Sequence, residues 1–332
     1  MLYFVMNPAS GIGKGQIERH NLIEAVRKID EPFRGYLTAR DRGADLIVKK
    51  LLEKDKGHLT IFVLGGDGTF NTALQGMLMY ENSHPEDDPF KRVEFAYIPV
   101  GSSNDLARGL EYPKKPVEIF RGIMRSLKKE EDRCVYNDLG KLTYIEAEDE
   151  KFNGKSRYFA VSCGMGLDAS VCAEAMHSRA KKALNKFDAG SLSYPAICVK
   201  QLGVSPITDI TIENEDTGEK KRMSKSMVVA VMNHKYQGGG LMFAPDASCN
   251  DGVFDYVYTN KLNRREVALA LPKMYKGTHT DVEGVYFGKG SRLAIWCGEN
   301  LYVHTDGEVE TKAVSIEVEC MQKRLCMVKY CE

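Results

Sequence analysis

The chain has 332 residues, 28% of them charged, with 46 Lys and Arg set against 46 Asp and Glu. That length suits two domains, and the zero net charge excludes an overall field that would draw the protein to nucleic acid or to anionic lipid. The nine cysteines are an odd number without a CxxC pair. With no signal-peptide pattern at MLYFVMNP and no apolar run near the ~18 residues of a membrane span, reduced thiols in a cytoplasmic protein are the expectation.

In chain order, apolar strands alternate with helical periods: LYFVM, then 14–28, PFRGYLT, then 41–53, LTIFVL, then 69–80, and EFAYIPV, then 102–127. This alternation predicts a parallel sheet with helices on its faces. The polar, proline-containing segment 81–92 is expected to be a surface loop. After the charge run at 128–133 the pattern changes to alternating strands, among them RYFAVSC, ITDITIE, VFDYVYT, RLAIWC and VSIEVEC. So many strands between turns predict a β-sandwich or open barrel, with helices near 170–186, 191–202 and 263–276 inserted in it. The predicted division is a nucleotide-binding α/β domain over 1–130 and a β-sandwich over 131–311, with 312–332 returning to the first. Trp296 is expected in the core.

The segment IFVLGGDGTFN at 61–71 combines a strand, a glycine turn and a helix start. Without side chains at Gly65, Gly66 and Gly68, backbone N–H groups can close around an anion at the positive end of a helix, which points to a nucleotide phosphate. The motif is neither a P-loop nor a dinucleotide fingerprint, because it carries an acid, Asp67, where phosphates would gather. Such an acid makes sense if it holds Mg²⁺ or accepts a proton; a glycine turn capped by Asp67 is the alternative. Two more turns, NPASG at 7–11 and IPVGSSND at 98–105, follow apolar strands, and Thr38 ends another. All fall at one carboxyl edge of the predicted sheet, where ligands bind in such folds.

NPASG, GGDGTFN, GSSNDLARGL, GMGLDASV, the GGG at 238–240, APDASCNDGVFD and TDGE together resemble the ordered motif set of the bacterial diacylglycerol kinase and sphingosine kinase-type lipid kinases. The resemblance runs from residue 7 to residue 308, and only GGDGT and the fold are shared with NAD kinases and 6-phosphofructokinases. It implies an α/β nucleotide domain of Rossmann-like type, a β-sandwich lipid domain, and last strands that return to the first domain. It implies ATP contacts at Asn7, Pro8, Ala9, Ser10, Gly11, Thr38, Gly65, Gly66, Asp67, Gly68, Thr69, Phe70, Asn71 and Ser102. Ser102 departs from the family's usual threonine while keeping the hydroxyl; His234 departs from its usual glycine.

Asp306 and Glu308 flank Gly307, and in an extended chain residues two apart project to one side, so the two carboxylates would face one site. One could accept the proton of an alcohol attacking a γ-phosphate while the other orients the hydroxyl or a metal; an exposed turn is the alternative reading. The resemblance puts the proton acceptor at Glu308 with Asp306 beside it, and leaves Asp67 as a rival. It also implies a structural Mg²⁺ at Asp251 with Ser248 and Val253, where the residues alone read as a hairpin turn, and a second Mg²⁺ arriving with ATP. Arg179, Lys181, Lys182 and Lys186 on the segment 177–187 read as a basic face for anionic lipid or as a solvated helix face. The segment 264–276 reads as the lining of an acyl pocket or as core.

The function expected is an ATP-dependent lipid kinase, peripheral at the inner membrane face, with diacylglycerol as its leading substrate and phosphatidic acid as product. A kinase of a soluble acceptor such as NAD, or a nucleotide-binding regulator, are the alternatives. No nucleic acid is expected as a partner, and a homodimer stays open.

Overall fold

The computed structural model describes residues 1–10, 16–129, 131–185 and 193–332, the side chains of 16–19, 177–185 and 193–196 excepted. The chain divides into two compact units, Met1–Leu139 with Gln322–Glu332, and Gly140–Met321.

The first unit runs β1 (Leu2–Met6), α1 (Gln16–Arg27), β2 (Phe33–Leu37), α2 (Ala44–Lys54), β3 (Leu59–Gly65), α3 (Asp67–Ser83), β4 (Val93–Pro99), α4 (Asp105–Gly109) and α5 (Pro116–Leu127). The strands lie parallel in the order β2-β1-β3-β4. β3 and β4 are buried along their whole length, which is why LTIFVLG and VEFAYIP read as near-continuous apolar runs rather than alternations. On one face Phe4, Phe62 and Ile98 pack against Leu22 and Val26 of α1 and Ile119, Phe120 and Ile123 of α5. On the other, α3 sets Phe70 edge-on to Phe95 and Tyr97. Gly76 lets α2 and α3 cross closely: a Cβ there would lie 2.5 Å from the Asp45 carbonyl oxygen.

The chain returns through the end of its last strand, where Met327 pairs in parallel with Phe95 of β4. Beyond it the Tyr330 ring lies where a Cβ on Gly122 of α5 would stand. The predicted loop at 81–92 is only partly one, because α3 continues through Ser83 and Phe90 is buried. An aromatic in a polar stretch found a core position that composition did not reveal.

The second unit contains β5 (Cys134–Ala147, begun in the first unit), β6 (Ser156–Phe159), β7 (Ser162–Gly166), α6 (Leu167–Asn185), α7 (Ser193–Val204), β8 (Thr208–Asn214) and β9 (Glu219–Ser226). It goes on through β10 (Val228–Met232), β11 (Tyr236–Gln237), β12 (Leu241–Met242), β13 (Phe254–Thr259), α8 (Arg264–Met274), β14 (Val285–Gly290), β15 (Arg292–Thr305) and β16 (Glu308–Val328, ended in the first unit). One layer runs β14-β13-β10-β7 and ends on Val303–Thr305 of β15; another pairs β9, β8, the first half of β15 and β16. β15 serves both, with a register shift between Trp296 and Leu301.

Cys163, Met165, Val229, Val231 and Phe254 from one layer meet Ile210, Ile212, Leu293, Ile295 and Ile316 from the other, which makes a β-sandwich. Alternate residues of β10, Ala230 and Met232, face the opposite way and pack with Val257 and Met274. Trp296 is 40% exposed rather than core. In the alternation of β15 it falls between Ile295 and Cys297, both buried, so strand period outweighs its size.

Candidate active site

In the first unit the order β2-β1-β3-β4 reverses direction between β1 and β3, and the carboxyl ends of these strands bracket the crevice where such sheets bind ligands. Asn7 leaves β1 there. Its side-chain amide donates to Thr69 Oγ1 at 3.0 Å, and its Oδ1 accepts from the Ala9 N–H at 2.9 Å, while the Ser10 N–H donates to its carbonyl. The NPASG turn is thereby tied to the start of α3. Thr38 follows β2 and donates its N–H to the Met6 carbonyl at 2.9 Å. Gly11, the rest of GIGKG and the four basic side chains of 177–187 lie outside the described residues.

Gly65 and Gly66 are required by close approach, and none of Gly65, Gly66 and Gly68 has a positive φ. A Cβ on Gly65 would stand 2.4 Å from the Thr69 Cβ, and one on Gly101 would stand 2.5 Å from the Gly66 Cα. The two loops touch backbone to backbone. Gly66 is the cap residue of α3 and offers no side chain to it, so the first N–H groups of the helix, at Asp67 and Gly68, point outward at its positive end.

Asp67 does not aim its charge at that end. Its Oδ2 accepts from the Asp105 N–H at 2.8 Å, and its Oδ1 from the Leu106 N–H at 3.3 Å and the Tyr97 hydroxyl at 3.1 Å. It therefore clamps the GSSND loop and the start of α4 to the glycine loop. Burial pushes its carboxyl up to about 6, the nearby Asp105 carboxylate adds to the rise, and the three hydrogen bonds oppose it. Asp105 is paired with Arg108. Asn104 holds the loop closed from a left-handed backbone (φ 53°), accepting from the Gly101 N–H and donating to the Gly101 carbonyl. Ser102 is exposed on the same loop. Phe70 and Asn71 are buried on the core side of α3, so what they offer a nucleotide is their position in the helix start rather than an exposed side chain.

In the second unit TDGE is a two-residue hairpin turn. Thr305 pairs with Glu308, and Asp306 (φ 51°) and Gly307 (φ 84°) both take the left-handed conformation that such turns demand. The extended geometry expected for Asp306 and Glu308 is thus replaced by a turn, because DG is the dipeptide that best tolerates two positive φ values. The Asp306 carboxylate accepts from three successive backbone N–H groups, Ala160 at 2.9 Å, Val161 at 2.8 Å and Ser162 at 3.0 Å. Glu308 is partly exposed at the first position of β16.

Beside the hairpin lies a buried polar group that sequence reading passed over. The Gly307 N–H donates to His304 Nδ1 at 3.2 Å, which puts the proton on Nε2, and Nε2 donates to Asp168 Oδ2 at 3.0 Å. The Gln237 amide reaches the same oxygen at 3.4 Å. Asp168 Oδ1 and Gln237 Oε1 are buried with no partner among the described residues. Asp168 and Gln237 line one wall of an apolar cavity of about 90 Å³, whose other walls include Val171, Leu241, Val257, Val267 and Met274. Asp168 sits in the GMGLDASV motif, which was the available signal. His234 is buried, and loss of solvation pushes it down to about 4, so it is neutral.

At the turn 245–255, Asp251 Oδ1 accepts from the Val253 N–H at 3.3 Å, Gly252 has φ 82°, and the Ser248 hydroxyl donates to Asn250. The Lys289 ammonium lies 3.6 Å from Asp251 Oδ2 and 2.9 Å from Asp255 Oδ2. Hard oxygen donors suit Mg²⁺; here a lysine balances the two carboxylates without an ion, and no chemistry is routed through one.

Residues 1–135 match the family model described as the diacylglycerol kinase catalytic domain, and 161–328 match the YegS C-terminal NAD kinase beta sandwich-like domain. The chain is 26% identical over 316 residues to a diacylglycerol kinase of Bacillus subtilis, covering 92% of this chain and 88% of that one. It is 23% identical to a diacylglycerol kinase of Mycobacterium tuberculosis, covering 88% and 91%. A crystal structure of a diacylglycerol kinase from Bacillus anthracis superposes with a TM-score of 0.66 at 17% identity, over 99% of this chain and 96% of that one. Yeast NADH kinase complexed with NADH superposes at 0.52 and 12% identity, over 100% and 84%. Among the described residues no helix is long and apolar enough to cross a membrane. Strand order, glycine-loop contacts and family models agree: the chain belongs to the diacylglycerol kinase-type family of lipid kinases, phosphotransferases on the NAD kinase-like fold.

Proposed function

We propose that the protein transfers the γ-phosphoryl group of ATP to the hydroxyl of a membrane lipid, with diacylglycerol as acceptor and phosphatidic acid as product. The observation that carries the lipid acceptor is the cavity of the second unit, whose walls are mostly apolar side chains suited to hydrocarbon, with Asp168 and Gln237 among the polar exceptions in its lining. A lipid supplies apolar chain to those walls, and a hydroxyl-bearing head group matches the few polar side chains among them.

On this reading the phosphates of ATP rest on the N–H groups at the start of α3, cleared by Gly65, Gly66 and Gly101, with Asn7, Ser10, Thr38 and Ser102 around them. Mg²⁺ arriving with ATP would supply charge neutralisation at the phosphates. Glu308 takes the proton of the attacking hydroxyl, and Asp306 fixes Glu308 by holding the hairpin on the N–H groups of 160–162. Asp67 positions the GSSND loop rather than taking the proton, because both its oxygens are engaged by that loop and Tyr97. Membrane contact fits the exposed apolar residues Val199 and Val204 of α7, Leu269 of α8 and Tyr275 just after it, which stand among Lys200, Arg265, Lys273 and Lys276.

Incubation with labelled Mg·ATP and a total lipid extract, with the product identified by mass, is the test. A phosphorylated lipid that disappears with Glu308→Ala is expected. If no lipid is labelled and the variant behaves as the wild type does, the reading fails.

A further inference from the structure

At the opposite end of the first unit's sheet, Glu94, the second residue of β4, is buried to 1% exposure. Cys134 opens β5 and Cys326 lies near the end of β16. One carboxylate oxygen and the two thiol sulfurs all lie within 4.8 Å of one another. We propose that Glu94, Cys134 and Cys326 bind a borderline-soft divalent cation of the zinc type.

The chemistry of the donor set selects that class, because two thiolates and one carboxylate suit a d¹⁰ ion in tetrahedral coordination and disfavour Mg²⁺ or Ca²⁺. The proton that Cys134 now gives to Glu94 Oε2, over 3.2 Å, lies where the ion would bridge sulfur and oxygen. The other oxygen, Oε1, accepts from the buried Thr60 hydroxyl at 2.6 Å, which fixes the carboxylate's orientation as partners of metal ligands do. Binding exchanges two thiol protons for one divalent ion, so the charge of the cluster stays as it is with Arg133 at 3.2 Å from Oε2. Water would take the fourth position, since His58, half-exposed with Nε2 3.4 Å from Glu94 Oε1, stands outside the cluster.

The site also has a structural rationale. Its ligands come from β4, from the start of the strand that leaves the first unit and from the end of the strand that returns to it. An ion there would pin exit and return to one sheet.

The test uses the full chain, purified under reducing conditions, stripped with chelator and titrated with Co²⁺. One equivalent is expected to raise a sulfur-to-cobalt charge-transfer absorption with the intense visible bands of a tetrahedral site, and Zn²⁺ should abolish both. Cys326→Ser should remove most of the charge-transfer intensity, while Cys331→Ser, a thiol outside the cluster, should leave it unchanged. No such absorption in the wild type at stoichiometric Co²⁺, or full intensity in Cys326→Ser, overturns the proposal. So does a Cys134–Cys326 disulfide in freshly purified protein that binds no metal.

Discussion

Asp67→Asn separates a clamp from a charge that serves chemistry directly, and its effect on stability follows from the surroundings of the carboxylate. The Asp67 carboxyl lies at about 6 in the folded chain against 3.8 for an unperturbed aspartate. That difference corresponds to about 3 kcal/mol against the ionised form. The sign is that of a buried acid: between pH 4 and 6 the folded chain holds a proton that the unfolded chain has released. Stability of the first unit therefore falls as pH rises through that window, and the full cost is present above about pH 6. Asparagine does not titrate, so the variant should gain on the wild type by up to about 3 kcal/mol between pH 4 and pH 7.5. Against this stands a pH-independent loss of about 1–3 kcal/mol, because one amide oxygen replaces two carboxylate oxygens facing Asp105 N–H, Leu106 N–H and Tyr97.

The readout must report the first unit, and Trp296, the sole tryptophan, lies in the second. Amide exchange from β3 and β4, corrected for intrinsic rates at each pH, supplies it. A stability difference between variant and wild type that is the same at pH 4.5 and 7.5 would refute the buried-acid argument. In turnover, the same substitution should lower kcat more than it weakens ATP binding, since it loosens a loop and removes no phosphate contact; equal losses in both would return Asp67 to a plain part of the phosphate cradle.

Other substitutions probe the remaining parts. Gly101→Ala drives a methyl to within 2.5 Å of the Gly66 Cα, so it should weaken nucleotide binding and cost about 1–3 kcal/mol by overpacking; calorimetry with ATP and an unfolding titration measure both. Glu308→Gln should reduce lipid phosphorylation about 10²–10⁴-fold with ATP affinity unchanged, as loss of a general base does, and a loss under tenfold would move the proton acceptor elsewhere. Asp306→Ala strands three backbone N–H groups and should destabilise the second unit by several kcal/mol, seen as a shifted Trp296 fluorescence transition. Ala270→Phe, which fills the cavity, should suppress phosphorylation of long-chain diacylglycerol while sparing a water-soluble short-chain analogue; equal suppression of both would detach the cavity from the acyl chain.

The α/β and β-sandwich layers were legible because each follows a period: fully buried runs for parallel β3 and β4, alternation for β8. The parts that were not legible depend on contacts between residues far apart in sequence. Nothing near Asp67 signals that its oxygens are consumed by N–H groups 38 and 39 residues away. His304, Asp168 and Gln237 read as unrelated residues on three segments until the fold closes them around one oxygen. Trp296 lies outside the core because its place in the alternation of β15 faces away from Ile295 and Cys297, and the Asp306–Glu308 pair departs from extended geometry because the backbone turns at Asp306 and Gly307.

Both acids inside glycine turns are put to the same use, and this bears on where catalytic charge resides. Asp67 and Asp306 each face backbone N–H groups of a distant segment, two in the first unit and three in the second. A carboxylate held in that way must give up hydrogen bonds already made before it can take a proton from substrate, even where burial raises its pKa as at Asp67. What it does well is hold a loop in one conformation, which a reaction that runs mainly on positioning requires. The proton acceptor of the proposed reaction, Glu308, stands on the strand beside such an anchor, while the donors for phosphate are the N–H groups that the Asp67 clamp keeps in line. Acids that look catalytic from their spacing thus divide into two fixtures and one candidate base, a division that the Asp306→Ala and Glu308→Gln variants distinguish by losing stability in one case and rate in the other.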